Sequence, residues 1–200
     1  MATDDTVIKT DFSRLIKPVR ECDGSSAAFP SVSYEYGDRI IGSIHAPVIL
    51  VKYGDYYCPH CGEACSIVKQ IQQQLDSQLC FVFRHFPLTQ IHERAQKAAE
   101  VAEIAAAQGK FWQMHYCLFE HQQALDDGSL VEYAVELGLD ISCFLRNLSE
   151  HIFAWKVQAD FRSGVESGVT GTPTFFINGV RLHDSWQMDT LLTAIEQVRN

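Results

Sequence analysis

The sequence predicts an α/β domain whose sheet core is interrupted by an all-helical insertion. Two short apolar runs rich in β-branched residues, "APVILVKYG" (46–54) and "LCFVFRHFP" (79–87), flank an amphipathic stretch, the pattern of two buried strands around a helix. From about 91 to 167 the chain carries five helical patterns and no convincing strand. Strand character returns at "TPTFFINGVRL", where Asn178-Gly179 between two apolar runs signals a hairpin, and an amphipathic helix closes the chain.

Residues 1–36 are weakly patterned and include the turn-rich "DGSSAAFPS", so they read as a loosely attached extension before a domain over 37–200. The first apolar run is short enough for a buried strand, and Pro87 stops the second. Between them, "GEACSIVKQIQQQL" places Ala64, Ile67, Val68, Ile71 and Leu75 on one helical face. Within the insertion, Ala95, Ala98, Ala99, Ala102 and Ala106 form a small-residue stripe suited to close helix packing, and "KFWQMHYCLFEHQ" follows Gly109. "SLVE" (129–132) has capping-box spacing, Gly138 suits a helix stop, and Asp140 suits the cap of the next helix. Phe153, Val157, Phe161 and Val165 repeat every four residues. In the last helix Asp189 is the expected cap, with Leu191, Leu192, Ile195 and Val198 facing inward. There is no internal repeat, heptad array or low-complexity tract.

Two hundred residues suit one domain, and 46% hydrophobic with 20% charged residues is a globular composition. The formal charge of -9 argues against a nucleic-acid groove. The longest weakly polar run, 40–51, is too short to insert across a membrane. The N-terminus has no apolar core of signal-peptide type, so a cytoplasmic location is expected if the chain begins at its natural start, and a periplasmic one if it was trimmed. Seven scattered cysteines make a poor disulfide framework; in a cytosol most are expected as reduced thiols.

Chemistry concentrates in "YGDYYCPHCGEAC" (53–65). With a strand before it and a helix after it, Cys58 lies at the first helical turn, where unpaired backbone N–H groups and the helix dipole favour a thiolate. Pro59 fits the first turn because it has no N–H to leave unpaired. His60 sits beside the sulfur and can supply positive charge or a donor. Cys61, one turn on, can attack a mixed disulfide on Cys58, and a lower Cys58 pKa makes the disulfide more oxidising. A metal site is the weaker reading, because no second Cys-x-x-Cys exists and Cys65 still leaves a ligand to find. Two core cysteines are also weaker, because Pro-His at a strand-to-helix turn is poor core material.

"VKYGDYYCPHCG", "FVFRHFPL", "AAQGKFWQMHYCLFEHQ", "ELGLD" and "SGVTGTPTFFINGVRL", in that order, resemble the DsbA-like thioredoxin-fold thiol–disulfide oxidoreductases, nearest the short bacterial DsbA family domains. The likeness runs from about Ile40 to the C-terminus and includes the insertion. It implies that Cys58 is the exposed nucleophile, that Cys61 is the buried resolving cysteine, and that Pro59 and His60 tune the pair toward oxidation. It also implies a cis bond at Thr172-Pro173 opposite the cysteines, turning the Thr172 backbone outward to pair with an extended substrate strand. One departure stands out: six residues before the nucleophile many relatives carry a buried acid, and this chain has Lys52. A neutral Lys52 would serve as a proton-transfer base and a charged one would steady thiolates; alternatively its ammonium reaches the surface and does neither.

Other residues carry weaker signals. Asp55 caps the helix, contacts the site or simply serves a turn. Tyr56 and Tyr57 form a collar for a peptide, though at least one is expected in the core. His85 and His92 could line the cleft, with structural or surface roles favoured. Phe111, Trp112, Met114 and Phe119 read as core, and only the family picture suggests a groove. Cys80 and Cys117 read as inert, Cys143 has no spacing that suggests joint work, and Cys22 reads as exposed and oxidisable.

The sequence therefore reads as a dithiol–disulfide exchanger working through Cys58 and Cys61 with no metal or organic cofactor. Its expected partners are protein or peptide thiols and disulfides, plus a recycling partner such as glutathione, a thioredoxin system or a membrane oxidant. Nucleic acid and membrane insertion are not expected. Pro-His argues for an oxidase, the expected cytosolic location for a reductase or isomerase. The alternatives are a glutathione-linked thiol transferase, which would need only Cys58, and a non-enzymatic metal or redox sensor using Cys58, Cys61 or Cys65.

Overall fold

Strand β2 (Val48–Gly54) runs parallel to β3 (Leu79–His85) in a computed structural model that describes residues 37–183 and 185–199. The expectations for the extension 1–36 and for Cys22 lie outside the described residues. Helix α1 (Pro59–Leu75) makes the crossover that a parallel pair requires. All seven residues of β3 are buried, which is why its sequence is a continuous apolar run without alternation. Strand β4 (Thr174–Ile177) pairs antiparallel with β2, and β5 (Val180–Arg181) antiparallel with β4. Asn178 and Gly179 make the turn between them with φ of 49° and 83°, the left-handed conformations that a two-residue hairpin needs. A short first strand, β1 (Arg39–Ile41), adds antiparallel to the other side of β3 and completes the order β1-β3-β2-β4-β5. Three half-buried residues leave no periodicity to read, so β1 was invisible in the sequence.

Five helices separate β3 from β4: α2 (Ala95–Ala107), α3 (Phe111–Glu120), α4 (Asp127–Glu136), α5 (Ile141–Ser149) and α6 (Ala154–Glu166). This is the thioredoxin fold with a helical insertion, closed by α7 (Met188–Arg199). Ala95, Ala98, Ala99 and Ala102 are buried, and α2 packs against α3, α5 and α6. The main core lies on the sheet face that carries Val48 and Leu50; Tyr53, Phe86, Val169 and Phe176 form a smaller cluster on the other. Buried charges tie the insertion to the sheet. Glu103 of α2 pairs with Arg39 and, at 2.8 Å, with His85, while Asp160 of α6 pairs with Lys156 and accepts the His85 backbone N–H. Burial alone would raise the Glu103 pKa, but Arg39 and His85 hold it well below the usual carboxylate range.

Three local expectations need correction. The cap of α4 is Asp126, which accepts from the N–H groups of Gly128 and Ser129; the helix has already begun when Ser129 arrives, so the Ser129–Glu132 pair is not a capping box. On α6, Phe153 and Val157 are buried but Phe161 and Val165 are exposed. Four-residue steps overrun a 3.6-residue turn by about 40° each, so the stripe walks off the core. On α7, Val198 is likewise exposed, and Asp189 lies within the first turn instead of capping it. Asp140 does cap α5, accepting from the Cys143 N–H at 2.8 Å, and Gly138 follows α4 at a φ of 65°.

Candidate active site

The turn between β2 and α1 places Cys58 at the N-cap of the helix, in extended conformation and without a side-chain cap, with Pro59 opening the first turn. The Cys58 carbonyl takes the N–H groups of Cys61 (3.0 Å) and Gly62 (3.3 Å), so the helix starts immediately after the nucleophile. Its sulfur is not the exposed one the resemblance implies: Cys58 is only 6% exposed as a residue, and Sγ lies 3.3 Å from the Thr172 carbonyl oxygen, across a sequence separation of 114 residues. The Thr172–Pro173 peptide bond is cis, and both residues are half-buried. The Thr172 hydroxyl is buried without a hydrogen-bond partner. Pro59 and His60 are exposed; His60 Nδ1 lies 3.7 Å from Glu63, and its ring lies 5.9 Å from that of Trp186.

The two thiols are pushed in opposite directions. A hydrogen bond from the Cys61 thiol, helped by the nearness of Thr172 and by the Cys61 backbone N–H, outweighs burial and brings Cys58 down to about 5. Cys61 is fully buried, and burial together with its bond to Cys58 drives its pKa well up, opposed in part by Lys52. The Asp55 N–H approaches the Cys61 sulfur at 3.5 Å. Near neutral pH the reduced pair therefore holds one thiolate, at Cys58, and one proton, at Cys61.

Lys52 does not reach the surface. Strand alternation puts it on the face of Val48 and Leu50, fully buried, with Nζ donating to the Cys61 carbonyl at 2.9 Å. Its ammonium group lies 4.7 Å from the Phe119 ring and 6.0 Å from the Phe83 ring. Burial lowers its pKa, and the charges of Cys61, Cys65 and Cys58 oppose that shift.

Asp55 ties the site to the loop after β3. Its carboxylate takes the N–H groups of Tyr57 (2.8 Å) and Leu88 (2.9 Å) and pairs with His92 Nδ1 at 2.9 Å. Tyr56 is wholly buried and bonds His115 Nδ1 at 3.0 Å, so it is core and not a peptide collar. Burial holds His115 well below the usual imidazole range. Half-buried Tyr57 donates to the Leu125 carbonyl, and His85 serves the ionic network instead of a cleft. Phe111, Met114 and Phe119 are core. Burial raises the pKa of Cys65, Cys80 and Cys117, the last to about 11, so none resembles Cys58. Cys143 is disulfide-bonded, which its spacing gave no reason to expect. Among the described residues no three of His, Cys, Asp and Glu converge as metal ligands.

Gln122, just past α3, was not legible in the sequence. Its Nε2 donates to the carbonyls of Tyr56 (2.7 Å) and Cys58 (2.8 Å). No spacing relates "FEHQQ" to the cysteines, so only the folded chain brings them together.

Residues 35–197 match the family model described as thioredoxin. Among solved structures, oxidised BdbD from Bacillus subtilis superposes with a TM-score of 0.74 at 25% identity, over 82% of this chain and 93% of that one. Wolbachia pipientis α-DsbA1 gives 0.69 at 20% identity, over 82% and 91%. In sequence the chain is 41% identical over 158 residues to the Na(+)/H(+) antiporter NhaA 3 of Salinispora tropica, a match that covers 79% of this chain but 24% of the antiporter. The chain thus spans about a quarter of the length of the curated relatives it matches. Among the described residues no helix is long and apolar enough to cross a membrane.

Proposed function

The chain belongs to the thioredoxin family, in the DsbA-like form of its fold, and from that premise we propose that it exchanges disulfides with protein or peptide substrates through a mixed disulfide at Cys58. The observation that carries this reading is the placement of the two sulfurs, Cys58 at the N-cap of α1 beside the Thr172 carbonyl and Cys61 fully buried one turn on, which favours a thiolate at the first and a proton at the second. In the oxidising direction a substrate thiolate attacks the Cys58 sulfur of the Cys58–Cys61 disulfide. Cys61 leaves and is protonated, and the substrate stays bonded to Cys58. A second substrate thiolate then attacks the substrate sulfur of that bond and expels Cys58 as a thiolate. Two electrons pass from the substrate dithiol to the pair, one proton is kept by Cys61, and one goes to solvent. A leaving group with so low a pKa favours this direction, so the couple is biased toward oxidation. In a compartment poised by glutathione the same pair would be held as the dithiol and would reduce or isomerise instead.

An extended substrate segment would lie against Thr172 and Pro173, which stand half-buried beside the Cys58 sulfur. The Thr172 hydroxyl, buried and unpartnered in the structure, would turn to donate to the thiolate. Pro59 and His60, on the open side of the turn, would meet the incoming chain. Lys52, with its lowered pKa and its place against the backbone of Cys61, would take the proton of the resolving thiol when Cys61 attacks the mixed disulfide.

Cys61→Ser tests the reading. Incubated with a disulfide-bonded peptide, it should accumulate a covalent adduct at Cys58, visible by mass spectrometry and released by dithiothreitol, while Cys58→Ser forms none. Undiminished turnover of glutathione mixed disulfides by Cys61→Ser would favour the single-cysteine transferase instead.

A further inference from the structure

We propose that Gln122 is a positioning residue for the nucleophile, clamping the carbonyls on either side of Tyr57 so that the Cys58 sulfur is held at the helix terminus. The inference deepens the reading of Cys58 as nucleophile and rests on it. Both N–H groups of one carboxamide are committed to the turn, one to Tyr56 O at 2.7 Å and one to Cys58 O at 2.8 Å. The Cys58 carbonyl belongs to the peptide that enters Pro59, so fixing it fixes the extended ψ of 117° at Cys58. That torsion, with the N–H groups of Cys61 and Gly62 on the same carbonyl, decides where the Cys58 Cα–Cβ bond points relative to Thr172 and the first turn of α1. The donor end of the amide dipole also faces the nucleophile's own peptide, a favourable direction for a thiolate.

A second observation matches the first. A Cβ built on Gly62 would lie 2.4 Å from Gln122 Oε1 and 3.0 Å from its Cδ. The carboxamide thus occupies the space over the first turn of α1 that any side chain at 62 would need. Gly62 is helical, so conformational freedom does not explain its glycine; the close approach of Gln122 does. The residue after the resolving cysteine and a residue 60 positions later form a matched pair.

Two variants remove the clamp by different routes. Gln122→Met keeps the bulk and loses both donors; Gly62→Ala leaves Gln122 in place but displaces its amide. The Cys58 thiolate is titrated in each by absorbance at 240 nm and by alkylation rate, beside thermal unfolding to show that the fold is intact. Both variants should raise the Cys58 pKa, with a thiolate fraction reduced by up to about fivefold at pH 5, because a net hydrogen bond to the site is worth up to about one pKa unit. The double variant should add little to either single one. Gln122→Glu should raise the pKa further at neutral pH, where its carboxylate cannot donate, and recover part of the loss in acid. An unchanged Cys58 pKa in folded Gln122→Met and Gly62→Ala overturns the proposal, even if both melt earlier, since a merely structural clamp would move only stability. None of these readouts needs a substrate, so their outcome is separate from whether Cys61→Ser traps an adduct.

Discussion

Two thiols one helical turn apart would titrate alike in water, and here burial and hydrogen bonding separate them. Cys58 gains the donors and Cys61 takes the desolvation. The reduced fold therefore binds fewer protons than its unfolded chain between about pH 5 and the ordinary thiol value of about 8.5. Its stability should rise with pH across that window, reach its full increment above about 8.5, and lose it as pH falls through 5. Urea unfolding of the reduced protein at pH 5, 7 and 8.5 checks this against Cys58→Ser, which should lack the increment; the same pH dependence in both would count against a depressed Cys58. Lys52→Met should slow the release of substrate from the mixed disulfide, so that stopped-flow quenching finds more adduct at steady state. Release at the wild-type rate would exclude Lys52 from the proton transfer. The cysteine pair was legible because spacing along one helix turn is a local property. Whether Lys52 was buried was not legible, because a strand apolar on both faces shows no alternation to place it. Asp55 was only partly so: its importance could be suspected, but its partners Leu88 and His92 lie on another loop.

Helix α6 shows how an element is held when its apparent stripe is misleading. Phe153 and Val157 start the buried face, and Gly164 continues it where Phe161 and Val165 have rotated outward. A Cβ at Gly164 would stand 2.6 Å from Phe86 Cδ2 and 3.1 Å from the Tyr53 ring, so the glycine sets how closely α6 lies on the smaller cluster. Gly164→Ala should destabilise the protein by about 1–3 kcal/mol, the ordinary cost of overpacking, despite alanine's better helix propensity. Chemical denaturation measures it; a neutral or stabilising outcome would mean that α6 shifts freely. The helical periods were readable because each helix buries one side, and the hairpin because Asn-Gly demands a local conformation. Caps were less readable: Asp126 and Ser129 are both plausible starts, and the backbone path into α4 decides between them.

At the scale of the molecule, the insertion does more than cover the sheet. It delivers Gln122 to the cysteine turn and the Phe119 ring to Lys52, and its charges bind β3 through Glu103 and Asp160. The order of strands, helical block and hairpin could be read because each segment carries its own period. Local spacing gave only the cysteine half of the site; Thr172, 114 residues away, was reached through the family resemblance, and Gln122, 64 residues away, by neither. The reduction potential of the Cys58–Cys61 couple, followed from pH 4 to pH 8 in glutathione buffers, tests that assembled site most directly. With one thiolate and one protonated thiol, two electrons carry one proton, and the potential should fall by about 30 mV per pH unit above pH ~5 and about 59 mV below it. A single slope of about 59 mV across the whole range would mean that both thiols stay protonated, and would contradict the assignment of Cys58 as the activated nucleophile.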